Sequence, residues 1–229
     1  MKTIAIIPAR GGSKRIPKKN IKNFAGHPVI YFPIATALKS GLFDFVYVST
    51  DDEEIAQLAI EFGALVPTLR SPELSNDHAT TLDVISDAVG NLQFKDDDVF
   101  VCCIYPTTPL LLPIYLESGL QKLREGDWDY VVSALKTGSP PERLFRINAV
   151  GNIEMYRGDF EFSRTQDLSI SFEDAGQFYW GTLSAWRERL PIFSSKSTIV
   201  EIPRFRALDV DTQEDWDNLN ELYRLQQDR

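Results

Sequence analysis

Apolar residues fall along this chain in short β-branched runs separated by longer amphipathic stretches, and the two kinds of segment alternate. Residues 3–8 (Thr-Ile-Ala-Ile-Ile-Pro), 45–50 and 99–104 carry few polar side chains, the pattern of strands buried on both faces. Between them, helices are predicted over 28–40 with Gly41 as C-cap, from Asp51-Asp52 to Glu61 ending at Gly63, and over 80–91. Pro113 opens a further helix as a first-turn proline, followed by a strand at 129–134. A short strand is expected at 64–67, further strands at 177–183 and 198–202, and a closing helix over 212–227 with Trp216, Leu219 and Leu222 (or Tyr223) on one face. Such β-α alternation predicts a three-layer, Rossmann-like α/β fold with a mainly parallel sheet. The rhythm breaks after Pro140-Pro141. From 142 to 171 the segments are short, polar and hairpin-like, with a turn at 149–152. So long an excursion is not expected to be structureless in a compact domain, and residues 142–176 read as an arm, a subunit contact or a lid, inserted in a single domain spanning 1–229.

Composition adds limits. A 229-residue chain that is 43% hydrophobic and 25% charged suits an ordinary globular domain, and its apolar runs are strand-sized, short of the ~20 residues that cross a bilayer. Cys102 and Cys103 are adjacent in a strand and point to opposite faces, so a reducing, cytoplasmic setting without a disulfide is expected. No secretory leader is read at the N-terminus. The net charge of −9 argues against nucleic acid as a partner. Its distribution says more: residues 1–43 hold eight basic residues and no acid, while the other 186 hold 16 basic and 33 acidic. A local positive field in an acidic protein suits a small polyanion such as a nucleotide.

Three motifs could carry chemistry. The first, Ala9-Arg10-Gly11-Gly12-Ser13-Lys14 continuing to Lys19-Asn20, follows the first strand directly, and ligands in open α/β sheets bind beyond the carboxyl ends of strands. Two glycines let the backbone approach phosphate oxygens, and Arg10, Lys14 and Lys19 can offset a triphosphate's charge. It is neither a GxxxxGKS/T nor a GxGxxG loop; the alternative is a solvated basic turn. The second is Asp209-Val210-Asp211-Thr212. In an extended segment two carboxylates at i and i+2 share a face and can share one Mg2+ that keeps sites for phosphate oxygens. Equally open is the possibility that Asp211 or Thr212 only caps the last helix, with Asp215 in its first turn. The third, residues 69–81, either cradles a base or caps a helix, and for Asp77 the cap is favoured. The two histidines, His27 and His78, are weak candidates for catalysis, and with adjacent cysteines they cannot form a zinc cage. Residues 105–109 lie on the predicted ligand edge. The aromatic stretch 172–181 could line a sugar pocket, with Phe178 and Trp180 facing the core.

The order of these motifs resembles the CMP-nonulosonate and CMP-Kdo synthetases, a family of sugar cytidylyltransferases, along nearly the whole chain. Ile7 to Arg15 with Lys19-Asn20 matches the family's nucleotide loop, Arg70-Ser71-Pro72-Glu73-Leu74 its Arg-Pro-x-x-Leu segment, and Asp209-Val210-Asp211-Thr212 its metal pair. Where sialic acid synthetases typically carry Leu-Gln-Pro-Thr-Ser-Pro-Leu-Arg, this chain has Ile104-Tyr105-Pro106-Thr107-Thr108-Pro109-Leu110-Leu111. The stretch Asp174 to Gly181 resembles the family's pseudaminic acid branch instead. The resemblance implies a nucleotidyltransferase joining CTP to pseudaminic acid, with sialic or legionaminic acid, and a non-catalytic nucleotide-binding module, as alternatives. It assigns phosphate handling to Arg10, Lys14 and Lys19, and base or ribose contacts to Asn20, Arg70 and Thr80. It further assigns Mg2+ to Asp209 and Asp211, and the sugar side to Tyr105, Gln177 and Tyr179. Arg164 is either a partner for the acid's carboxylate or an exposed arm residue. A cytoplasmic homodimer serving bacterial surface or flagellar glycosylation is implied.

Overall fold

A computed structural model describes residues 1–92, 94 and 98–227. Its elements are, in chain order, β1 (Lys2–Pro8), β2 (Asn23–Phe24), β3 (His27–Pro28), α1 (Tyr31–Ser40), β4 (Phe45–Ser49), α2 (Glu53–Glu61), α3 (Thr81–Asn91) and β5 (Val99–Ile104). There follow α4 (Pro113–Glu125), β6 (Tyr130–Lys136), β7 (Phe145–Ile147), β8 (Ile153–Met155), β9 (Phe172–Thr182), α5 (Leu183–Arg187), β10 (Ser197–Glu201) and α6 (Gln213–Gln227). The main sheet has the order β10-β6-β9-β5-β1-β4. Five of its strands run one way; β9 runs antiparallel between β5 and β6. Its direction follows from the connection. β6 leaves the sheet at Lys136 and the arm returns at the same edge, where Thr137 N–H donates to the Ser171 carbonyl (2.9 Å), so the chain can only run back down.

The three layers follow from side-chain alternation. On β1, Ala5 and Ile7 face the layer of α1, α2 and α4, while Ile4 and Ile6 face α3 and α5; all four are fully buried. Cys102 and Cys103 divide between the same two faces as free thiols. A third, smaller cluster fixes the chain ends. Ile16, Phe24, Val29 and Leu110 enclose Val210, Trp216 and Leu219, and Phe24 meets Trp216 edge-on at 5.7 Å. Each large apolar side chain buried there contributes about 1.5–3 kcal/mol, against about 0–1 kcal/mol for an exposed ion pair. Apolar packing is therefore what fastens the C-terminal segment to the N-terminal loop.

Three sequence expectations need correction. The first helix begins at Tyr31, because Pro28 pairs with Asn23 in a two-residue ribbon. The strand expected at 64–67 is one bridge, Leu65 to Tyr47. And β9 starts at Phe172, five residues before the expected Gln177, so 172–176 belong to the sheet and not to the arm. The hairpin within the arm is β7–β8, its turn tied by Asn148 Oδ1, which accepts from Val150 N–H (3.1 Å) and Asn152 N–H (2.9 Å).

Candidate active site

A cleft of about 400 Å3 lies beyond the carboxyl ends of β1, β4 and β5, and a second hollow of about 390 Å3 adjoins it. The loop after β1 supplies Arg10, Arg15 and Lys19 to both, and Ser13 and Lys14 to the second; Asp209 and Asp211 line the first. Residues nearly 200 positions apart meet directly here. The Lys19 ammonium donates to the Val210 carbonyl at 2.7 Å, and the Arg15 guanidinium lies 2.6 Å from the Asp211 carboxylate. Burial pushes the Lys19 ammonium below its usual pKa, partly offset by Asp211 and Asp209. A lysine in that condition gains most from a nearby anion.

Neighbouring cations are held by Asp77, which bonds Arg10 at 2.8 Å and Lys14 at 2.5 Å. The two cations hold its carboxyl below the usual carboxylate range. Asp77 is therefore not a helix cap. That role belongs to Thr80, whose hydroxyl accepts from Asp83 N–H (3.2 Å) while Asp83 accepts from Thr80 N–H (3.1 Å). Thr80 is thus turned to the helix start, and Ala79 and Thr81 line the cleft in its place. The sequence had the signal: Thr80-x-x-Asp83 is a capping box, which leaves Asp77 free for the cations.

The glycine loop differs in detail from expectation. Gly11 N–H donates to Asp51 Oδ1 (3.0 Å), and a Cβ on Gly11 would sit 2.5 Å from the Asp52 carboxylate, so close approach to these acids explains the glycine. Gly12 has open space around it. Ala9 is fully buried in the core, its N–H bonded to the Ser49 carbonyl, and shows no surface to a ligand. Asn20 lines the cleft and braces the loop through Nδ2 on the Arg10 carbonyl (2.9 Å); its buried Oδ1 has no partner among the described residues. Arg70 lines the cleft with a nearly buried guanidinium that bonds the Ser49 carbonyl (3.3 Å) and Ser75 Oγ (3.2 Å). Burial lowers its pKa, with Asp51 opposing.

The two readings of Asp211 are separated by Asp215. Asp215 Oδ2 accepts from Thr212 N–H (2.7 Å) and Asp211 N–H (3.0 Å), and the Thr212 hydroxyl accepts from Asp215 N–H (3.1 Å). Thr212 and Asp215 close the helix start between them, so the Asp211 carboxylate is not consumed by capping. Asp209 and Asp211 are hard oxygen donors on one wall of the cleft. Such a pair fits a Mg2+ ion that fills its remaining sites with water and phosphate oxygens; no cluster of three or more potential ligands occurs among the described residues.

Tyr105, Tyr179 and Asp174 also line the cleft. The two rings meet edge-on at 5.5 Å, and the Tyr105 hydroxyl shares a 2.8 Å hydrogen bond with Thr81. Burial raises both phenols well above their usual range, so they stay protonated. Two expected sugar contacts lie elsewhere. Gln177 is buried, its amide donating to the Arg206 carbonyl away from the cleft. Arg164 sits exposed on the arm, in a 2.7 Å pair with Asp167, and does not line its own chain's cleft. Asp174, the first residue of the stretch that resembles the pseudaminic acid branch, does.

Comparison with known proteins agrees with this geometry. A family model described as Cytidylyltransferase matches residues 4–229. The chain is 40% identical over 226 residues to a pseudaminic acid cytidylyltransferase of Campylobacter jejuni, covering 98% of this chain and 97% of the relative. It is 32% identical over 219 residues to an N-acylneuraminate cytidylyltransferase of Streptococcus agalactiae, 94% of this chain and 52% of that one. Among solved structures, a CMP:2-keto-3-deoxy-manno-octonic acid synthetase complexed with CTP superposes with a TM-score of 0.73 at 19% identity, over 99% of this chain and 100% of the other. A 4-diphosphocytidyl-2C-methyl-D-erythritol synthase gives 0.70 at 14%, over 97% and 98%. Those two likenesses establish the fold, and the match along the sequence establishes more: this chain belongs to the cytidylyltransferase family.

Proposed function

We propose that the protein transfers the cytidylyl group of CTP to pseudaminic acid, giving CMP-pseudaminate and pyrophosphate. One observation carries the reading: cations from the N-terminal loop and carboxylates from the C-terminal segment line a single cleft, with Lys19 on the Val210 carbonyl and Arg15 on Asp211. The choice of acid follows the relative that is 40% identical along almost its full length. In the reaction the anomeric oxygen forms a bond to the α-phosphorus, the bond from that phosphorus to the β-phosphate oxygen breaks, and the hydroxyl proton is lost. Arg10, Lys14 and Lys19 neutralise the triphosphate and the departing pyrophosphate, where developing charge is greatest. Ser13 and Asn20 complete the loop around the nucleotide, and Arg70 braces the wall on which it rests. Asp209 and Asp211 would hold Mg2+, which when bound supplies Lewis-acid stabilisation of the phosphate oxygens.

A homodimer is part of the proposal. The arm leaves Phe145, Ile147, Val150, Ile153, Phe162 and Ile170 exposed, Phe162 by 93%, and a second copy would cover this apolar face. Arg164 would then reach the site only across that contact. A cytoplasmic setting, where CTP is available, is part of the same proposal. The test is pyrophosphate release from CTP over pseudaminic, legionaminic and N-acetylneuraminic acids, with and without Mg2+. Release that is Mg-dependent and fastest with pseudaminic acid is expected. Faster release with either other acid moves the assignment within the family, and no release with any acid contradicts it.

A further inference from the structure

In a regular strand, residues five apart lie roughly 16 Å from each other and point to opposite faces. Asp174 and Tyr179 stand five apart in β9, yet the Tyr179 hydroxyl donates to Asp174 Oδ2. A bulge brings them together. Val132 of β6 pairs with Tyr179, but Ala134, two residues on, already pairs with Asp174. Gly176 takes up the excess chain at φ +59°, in the left-handed region that suits glycine, and the buried Ser133 hydroxyl accepts from both Gln177 N–H (3.2 Å) and Phe178 N–H (3.0 Å). The bulge also fixes the second oxygen, since Gly176 N–H donates to Asp174 Oδ1 at 2.9 Å. The carboxylate is therefore oriented through both oxygens by its own strand. The tyrosine that grips it is braced in turn by Tyr105 and, beyond it, Thr81.

A carboxylate offers about four acceptor positions, and the strand uses two. Asp174 is otherwise exposed to the cleft, on a strand that β5 separates from β1, whose following loop carries Arg10, Arg15 and Lys19. The cleft thus carries cations on the loop after β1 and, across β5, a carboxylate held in a fixed orientation. We propose that Asp174 is a specificity residue, taking hydroxyl or acylamino N–H donors of the acceptor sugar and setting its orientation. The acid's own carboxylate, adjacent to the attacking anomeric hydroxyl, is thereby directed to the cationic end. A reversed sugar would set carboxylate against carboxylate. Tyr179 is a positioning residue acting through Asp174. The inference rests on the sugar-acid cytidylyltransferase reading above and adds to it the group that discriminates between acids.

The test is steady-state pyrophosphate release with CTP, Mg2+ and either pseudaminic or N-acetylneuraminic acid, for the wild type, Asp174→Asn and Tyr179→Phe. Asp174→Asn, which keeps the size but places a donor where only acceptors stood, should raise KM for pseudaminic acid at least tenfold. KM for CTP should stay within twofold, and the kcat/KM preference between the two acids should narrow at least tenfold. Tyr179→Phe should move the same quantities in the same direction, by two- to fivefold. An Asp174→Asn enzyme with unchanged sugar KM and preference overturns the proposal. So does a parallel loss for CTP and sugar accompanied by a lowered Tm, which would mark a merely structural carboxylate. If Asp174→Asn does not fold, an unchanged sugar KM in Tyr179→Phe overturns it alone. A wild type silent with both acids overturns the underlying reading and this one with it, whereas an active wild type with unaffected variants overturns this one only.

Discussion

The two ends of the cleft are built in opposite ways. Where phosphate binding is proposed, long charged side chains from distant parts of the chain hold one another in exposed pairs: Arg10 and Lys14 on Asp77, Arg15 on Asp211. Where sugar binding is proposed, Thr81, Tyr105, Tyr179 and Asp174 form a row of short contacts seated on the sheet, with the two phenols largely withdrawn from water. Exposed ion pairs are weak, so the first end can exchange internal partners for ligand phosphates at small cost. The second end is set by a bulge and by packing, and offers polar groups in fixed positions. A cleft of this kind suits a flexible, highly charged donor at one end and a stereochemically defined acceptor at the other.

The variants expected to matter most lie at the phosphate end. Asp211→Asn should lower Mg-dependent turnover by on the order of a thousandfold, the scale of lost metal-ion stabilisation. Its Tm should stay near that of the wild type, because Thr212 and Asp215 carry the helix start. Full activity in that variant would assign the carboxylate to structure. Arg10→Ala should lose about 2–3 kcal/mol of transition-state stabilisation, roughly 30- to 160-fold in kcat/KM for CTP; a near-normal rate removes Arg10 from the mechanism. The smallest effect concerns pH. Because burial lowers the pKa of Lys19, and the protonated form is the one that holds phosphate, kcat/KM for CTP should fall on the alkaline side before the ordinary lysine range is reached. Lys19→Arg stays charged throughout and should move that limb upward. A limb that does not move would show that another group titrates there.

Much of this was legible in the residues. The β-branched runs at 3–8, 45–50 and 99–104 read as buried strands, and the basic loop after the first of them had to lie at a strand's carboxyl end. The convergence of Lys19 with the segment carrying Asp209 and Asp211 is harder to see. It depends on Phe24, Val210 and Trp216 meeting in a small core whose members are scattered through the chain. The direction of β9 was not readable from its own sequence, since it follows from the arm returning at the edge it left. Gln177 was misassigned for a local reason: alternation places it with Tyr179, and the bulge at Ala175–Phe178 cancels that alternation. The same bulge hid the contact of Asp174 with Tyr179, which no periodicity could reveal. Arg164 belongs to an arm that leaves several large apolar side chains exposed, so its role could not follow from this chain's pattern.

Titration calorimetry of CTP into the wild type and Asp209→Asn, each with and without Mg2+, addresses the meeting of loop cations and paired acids most directly. Mg2+ should tighten CTP binding to the wild type by at least tenfold. In Asp209→Asn that increment should vanish while metal-free CTP binding is retained, since one negative charge near the triphosphate has been removed. An Mg2+ increment of equal size in both proteins would contradict the account.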